Sequence, residues 1–421
     1  AGQRIVLANG TYSGTFTLSG KTGAIHIHAA TDGGALFPTA GALTINNSSN
    51  VTVRGLKFNQ ENEGNCLSVK GTSHHVRVTR CTFGPDSHPG TALTGATRQW
   101  VYVGDDTHHV RIDHNLFQNK AGNGNCVQVY GNFTTFVISK YVRIDHNRFE
   151  NIYPEATNNM EPIRLGVSTM SRSVACGVIE RNYFTNCKSE PEVISMKAER
   201  IRASGNTLYR CSGSICIRHG RYSVASDNYI IDGNNTTGTD GLKSGGLRFY
   251  DSEHEVDHNY LAGLAGATFQ ASIILDTGDA EGSSTNLSAH WRVVNAKVRK
   301  NVIVNSVTGI MVGDNYSLSP TGCTVTDNIT ANISSGSPPV TYVGGTTLTS
   351  STVSNNVNFA TTTAAQLVAD DDGIFRRAEY GPRITFIGSG DAGPNGDPDD
   401  LDQTGFSIGS SSGGGGEDPG G

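Results

Sequence analysis

One pattern dominates the chain: a short run of alternating apolar residues, then Asn, then a bulky apolar residue, returning along most of its 421 residues. It reads VRIDHNLF from Val110 to Phe117, VRIDHNRF from Val142 to Phe149, VIERNYF from Val178 to Phe184 and VDHNYL from Val256 to Leu261. Weaker copies are ASGNTL (Ala203 to Leu208), ASDNYI (Ala225 to Ile230), VRKNVI (Val298 to Ile303) and VTDNIT (Val325 to Thr330). VRVTRCTF, from Val76 to Phe83, carries Cys81 in the Asn position. Spacing between copies varies while the copies themselves do not, which is how insertions distribute in a repeat protein.

Each copy has the period of two of a β-strand. Two shorter strands are readable between copies, as at Gln99 to Val103, Cys126 to Tyr130 and Ile215 to His219, so each repeat makes one three-strand coil. Stacked coils of this kind predict an all-β, right-handed parallel β-helix, a solenoid in which every strand pairs with the coils above and below. The recurring Asn then forms a side-chain ladder at a turn. Length alone suggests two or three domains at ~150 residues each. The repeat reduces this to one elongated domain over residues 1–385, followed by an extension over 386–421 that ends in the linker-like GSSSGGGGEDPGG.

Several functional classes are disfavoured. No apolar run reaches the ~18 residues of a membrane span. Net charge is −6, from 32 basic and 38 acidic residues, which argues against broad nucleic-acid binding. A local basic groove for an anionic ligand stays open. The chain begins Ala1-Gly2-Gln3 with no signal-like segment, so the expectation is that any secretion signal is absent or removed. The first strand, Arg4 to Leu7, begins almost at once, which predicts that a segment capping the first coil is missing and, from the terminal linker, that a further domain follows.

Eight cysteines show no zinc-ligand spacing. Cys187 and Cys211 each lie five residues after a repeat Asn, so they stack on adjacent coils as a disulfide or as two buried thiols. Cys66 and Cys126, both preceded by Gly-Asn, fall two coils apart.

Only 17% of residues are charged, so a charged cluster stands out. Three successive coils carry one: NNMEPIRLG (Asn158 to Gly166), SEPEVISMK (Ser189 to Lys197) and ICIRHG (Ile215 to Gly220). Glu190 and Glu192 are two apart, which puts both carboxylates on one side of an extended strand. Like charges that close repel unless a cation separates them, and oxygen ligands favour Ca²⁺; the alternative is an exposed acidic pair. Asn158 or Asn159, one coil earlier, adds a neutral oxygen. Lys197 and, one coil on, Arg218 place two cations side by side. A Lys beside an Arg and a divalent cation has a depressed pKa and serves as a general base; without the carboxylates the pair would read as solvated surface.

These segments resemble polysaccharide lyase family 6, the parallel β-helix lyases that include alginate lyases and chondroitinase B. The resemblance runs from about Gly10 to about Arg377 and rests on N-x-x-E-x-I-R-L/I-G, E-x-E-x-I-S-x-K and R-H-G, present as Asn158 to Gly166, Glu190 to Lys197 and Arg218 to Gly220. It implies Lys197 as base, Arg218 as acid, and Glu190, Glu192 and Asn158 (or Asn159) as Ca²⁺ ligands. Arg164, His219, Arg248, Tyr250 and His254 would line the substrate groove. Ala198 stands where a Ser often follows the Lys, and Lys188 precedes the first Glu; both bear on subsite preference.

The implied activity is β-elimination on a uronic-acid polyanion, alginate first and chondroitin or dermatan sulfate second, by a secreted or periplasmic enzyme. Two rivals compete. A polygalacturonase-like hydrolase needs paired carboxylates at the scissile bond, for which Asp105 and Asp106 are candidates several coils from Arg218. A non-catalytic glycan-binding β-helix is the other, since fold does not specify function. Insertions at Gly233 to Gly246 and Gly278 to His290 are long enough to close one end of a groove.

Overall fold

In the repeat strands, alternate side chains disappear from solvent. Val76, Val78, Val110 and Ile112 are fully buried, while Arg77 and Arg111 between them face outward. The computed structural model describes residues 2–394 except 40, 60–63, 91–98, 154–157, 233–241, 283, 337, 372–373 and 378. Its strands form three long sheets of 13, 13 and 12 strands, in which each strand neighbours its counterparts one coil away. Register is kept coil after coil: Val76 pairs with Val110, Arg77 with Arg111 and Val78 with Ile112, and Ile112 continues to Ile144 and Ile179. All pairings within these sheets are parallel, so the chain is a parallel β-helix, as the repeat predicts. Its interior is one continuous apolar core.

The turn between the first two sheets explains the Asn. The residue before it is left-handed, with φ of 54° at His114, 53° at His146, 52° at Arg181 and 58° at Asp227, a conformation that costs a non-glycine residue. The Asn side chain offsets this. Asn182 Oδ1 accepts both the backbone N–H and the Nδ2 of Asn147 at 3.0 Å, and Asn182 Nδ2 donates to Ile144 O at 2.9 Å and to Asn206 Oδ1 at 3.0 Å. The ladder continues through Asn228, Asn259, Asn301 and Asn328, all fully buried. Cys81 starts it by donating its backbone N–H to Asn115 Oδ1. Just beyond, Phe58, Phe83, Phe117, Phe149 and Phe184 stack with ring centroids 4.6–5.0 Å apart.

Cys187 and Cys211 do stack on adjacent coils, but as free thiols rather than a disulfide, each turned to a backbone carbonyl such as Thr185 O or Tyr209 O. The described part of the C-terminal extension lies on the helix. Beyond Arg383, itself bound to Asp227, it runs back over the Asn corner, with Arg148 reaching Ser389 O and Gly393 N–H donating to His146 O. The linker at 409–421 and the sequence at 233–241 fall outside the described residues.

Candidate active site

The charged cluster sits on the outer face of the third sheet, on the strands Ile163–Leu165, Glu192–Lys197, Gly213–His219 and Ser244–Phe249. Their outward positions line up by register: Gln128, Arg164, Ser195, Cys216 and Arg248 form one column. Two residues further along, Lys197 and Arg218 point to the same side. A bulge between Met196 and Lys197 pairs Lys197 with His219, which leaves Arg218 facing outward and His219 buried.

A cavity of about 340 Å³ opens here, lined by Asn158, Ser168, Glu190, Pro191, Glu192, Lys197, Arg218, His219 and Arg248. Most expected residues thus converge on one space. Lys197 Nζ lies 3.3 Å from Glu161 Oε1 and 3.8 Å from Glu192 Oε2. Arg248 donates to Glu192 Oε1 at 2.8 Å, and Ser195 Oγ donates to Oε2 at 2.5 Å. Arg218 is fixed from behind: its guanidinium lies over the Tyr250 ring at 5.4 Å and donates to Ala289 O at 3.4 Å. Ala289 belongs to the Gly278 to His290 insertion, so that loop reaches the site.

Glu161, which is not among the expected ligands, joins them in the structure. It is fully buried, and its carboxylate oxygen lies within 4.8 Å of those of Glu190 and Glu192. The signal was available in NNMEPIRLG, where Glu161 stands three residues after Asn158. Burial, then the charges of Glu161 and Glu192, push Glu190 up to about 9. Glu192 is also buried, but Lys197 and Arg248 hold it down at about 2. A carboxyl group pushed to keep its proton by burial and by two neighbouring carboxylates marks a place short of positive charge. The donor set, all oxygen, fits a hard cation such as Ca²⁺. Asn158 lines the same cavity, whereas Asn159 Oδ1 is already taken by Arg164 Nη1 at 2.5 Å.

Burial alone would lower Lys197, but Glu192 and Glu161 outweigh that and raise it; the depressed value is expected beside a bound divalent cation, a separate state. Three expectations need correction. Arg164 does not line the groove. It is 4% exposed and donates to Gln128, Asn159 and the Tyr130 hydroxyl, so it braces the wall. Tyr250 is buried, with its hydroxyl on Asp276. His254 is buried too, one ring nitrogen accepting from Ser223 N–H and the other facing Tyr250 O. His219 borders the cavity as expected. Burial, then Arg218 and Lys197, keep it well below the usual histidine range, and its Nε2 meets Ser168 Oγ at 3.0 Å.

A sequence model described as Chondroitinase B matches residues 1–378. The chain belongs to the chondroitinase B family. Among solved structures, a family 6 alginate lyase in complex with a trisaccharide is similar over 94% of this chain and 90% of its own, at 19% identity and TM-score 0.78. A mannuronic-acid-specific family 6 lyase from the human gut microbiota aligns over 81% and 77%, at 24% identity and TM-score 0.70. A family 6 polysaccharide lyase from Pseudopedobacter saltans aligns over 94% and 96%, at 19% identity and TM-score 0.73. No curated protein sequence matches the chain. The expected place in polysaccharide lyase family 6 is borne out, and with it the lyase class of enzyme. The hydrolase and purely glycan-binding readings fall away. Asp105 and Asp106 are occupied elsewhere in this chondroitinase B family member, by Gly71 N–H and by the Asn132 amide.

Proposed function

We propose that this lyase cleaves alginate outside the cytoplasm by β-elimination at a uronate, with Lys197 as base and Arg218 as acid. The observation that carries the reading is the shared cavity, which brings the Lys197 amine, the Arg218 guanidinium and the Glu190 and Glu192 carboxylates together, with buried Glu161 against those carboxylates. Lys197 would take the C5 proton of the uronate. Arg218, pinned between the Tyr250 ring and Ala289 O, would stabilise developing charge and assist protonation of the departing O4. Burial, then Arg218 and Lys197, disfavour a charge on His219, whose Nε2 meets Ser168 Oγ. Arg248 spans the site from Glu192 to the groove and meets an anionic chain there.

Glu161, Glu190, Glu192 and Asn158 would hold Ca²⁺. Bound there, it would neutralise the substrate carboxylate, acidify the C5 proton and cancel the carboxylate field that now keeps the proton on Lys197.

A dermatan or chondroitin sulfate substrate is the second reading, favoured by the family to which the chain belongs. Product absorbance in the near ultraviolet tests both, because elimination leaves an unsaturated uronate. Absorbing product is expected from alginate, with little from dermatan sulfate. Product from dermatan sulfate alone would reverse the order, and none from any uronan would remove the proposal.

A further inference from the structure

The outward column that carries Arg248, Cys216, Ser195, Arg164 and Gln128 continues away from the cavity to Tyr102 and then to Ser68. Val101 and Val103, on either side of Tyr102, are fully buried, so the Tyr102 ring stands on the outer face of the third sheet. Gly104 makes room for it, because a Cβ there would strike the ring. Tyr130, two residues beyond Gln128 on the next coil, meets Tyr102 with ring centroids 5.6 Å apart, and Phe133 meets Tyr130 at 5.0 Å. Lys70, from the coil before Tyr102, lays its amine over that ring at 5.1 Å and pairs with no carboxylate among the described residues.

Phe133 is not a core residue. It is 52% exposed, in the tip of a hairpin whose strands are Gly131–Asn132 and Val137–Ile138, and Phe136 in the same tip is 48% exposed. The hairpin is held in place. Asn132 Oδ1 accepts the N–H of Thr134 at 2.9 Å and of Thr135 at 3.2 Å, Asn132 Nδ2 donates to both Asp106 oxygens at 3.2 Å, and Ile138 N–H donates to Ser173 Oγ at 3.0 Å. An exposed aromatic cluster with a polar rim marks a binding surface. Its position says what covers it. The Tyr130 hydroxyl accepts from Arg164 Nη2 at 2.9 Å, and Arg164 Nη1 lies 3.4 Å from Glu161 in the carboxylate cluster, so the aromatic patch and the catalytic cavity share one wall.

We propose that Tyr102, Tyr130, Phe133 and Lys70 form a distal subsite that holds uronate residues of the substrate chain that are not cut. This rests on the reading above that the groove takes a polyuronate. A pyranose presents faces of C–H groups that stack on aromatic rings, and each uronate adds a carboxylate for the Lys70 amine. By register Tyr130 lies two coils and Lys70 four coils from Lys197, at ~4.8 Å per coil. One coil is close to the length of one pyranose, which places the subsite about two to four sugars from the scissile bond.

The test compares Phe133→Ala with wild type on uronate oligosaccharides of increasing length, taken from the polymer that the enzyme degrades best. Phe133 is half exposed, so its truncation leaves the core intact. On a trisaccharide, too short to reach the hairpin, kcat/KM should be unchanged; on a hexasaccharide and on polymer it should fall about 5-fold, through KM. Binding is read separately by calorimetry of alginate with Lys197→Ala, to which Phe133→Ala is then added; the added substitution should weaken binding about 5-fold. Equal kcat/KM at every length, or equal binding, would overturn the subsite. An equal loss on the trisaccharide would overturn it too, because the ring would then act at the cavity. Should no uronan be cleaved, the functional reading fails by itself and binding alone decides: alginate binding that Phe133→Ala weakens supports the subsite, and binding that is unchanged or absent overturns it.

Discussion

Lys197 Nζ and Glu161 Oε1 are 3.3 Å apart, across adjacent coils of the third sheet. The contact makes the proposed base and a proposed metal ligand partners, and Asn125 Nδ2 at 2.6 Å holds the other carboxylate oxygen of Glu161 in place. The electrostatics of base and cation site are therefore a single problem.

Glu161→Gln keeps the shape of that side chain and removes its charge. It should lower kcat about 10–100-fold and weaken Ca²⁺ to a comparable degree, the usual effect of losing a ligand or its support at a metal site. Steady-state rates on alginate over a Ca²⁺ series measure both. Wild-type kcat and Ca²⁺ dependence together would leave Glu161 a purely structural role.

Charge crowding predicts the opposite outcome for stability. With Ca²⁺ chelated, Glu190 must take up a proton at neutral pH, at a cost in stability, because burial and the Glu161 and Glu192 carboxylates within 4.8 Å disfavour its charge. Glu190→Gln should therefore raise the melting temperature of the chelated protein by a few degrees, corresponding to about 1–2 kcal/mol. The same substitution should abolish the stabilisation that Ca²⁺ gives the wild type. Thermal melts with and without chelator check this, and a lower Tm for the chelated variant would contradict the crowding argument.

The fold was legible because its determinant is local and repeated. A period of two, an Asn and a Phe recur in sequence and then stack in space, as Asn147 on Asn182 and Phe149 on Phe184 show. Site residues on the repeat strands were legible for the same reason: the outward positions of Lys197 and Arg218 follow from alternation and register. What escaped depends on contacts that no spacing reveals. Arg164 alternates outward like Arg248, but Gln128, Asn159 and Tyr130 consume its donors, so it braces the wall while Arg248 reaches the cavity. The direction of the Lys197 shift also needed Glu192 and Glu161, whose distances from its amine follow from how two coils stack and not from any spacing.

Removing one rung tests the ladder. Asn182→Ala would strand the Asn147 backbone N–H, take away one of the three acceptors of Asn147 Nδ2, and leave Ile144 O without its Asn182 donor. These groups are buried, so a loss of about 3 kcal/mol or more is expected. Denaturant unfolding measures it. A change below about 1 kcal/mol would mean that the left-handed turn at Arg181 holds without the amide.

Acid should unfold this protein partly through Asp145. Its carboxylate is buried, which alone would raise its pKa, but His146 and Arg111, bonded at 2.9 and 2.7 Å, pull it below the usual aspartate range. The sign follows from linkage. A depressed folded value means that the stabilisation is fully present above the unfolded pKa of about 3.9 and fades as pH falls through the folded value. Asp145→Asn should cost about 3 kcal/mol at pH 7, where Arg111 loses its charged partner, and progressively less relative to wild type below pH ~4. Asp113, held down by His114 and Arg77, still titrates in the variant, so its acid sensitivity should be reduced rather than removed. Urea unfolding of both proteins from pH 7 to pH ~2.5 supplies the comparison. A gap between them that stays constant with pH would show that the ion pair at Asp145 contributes nothing to acid stability.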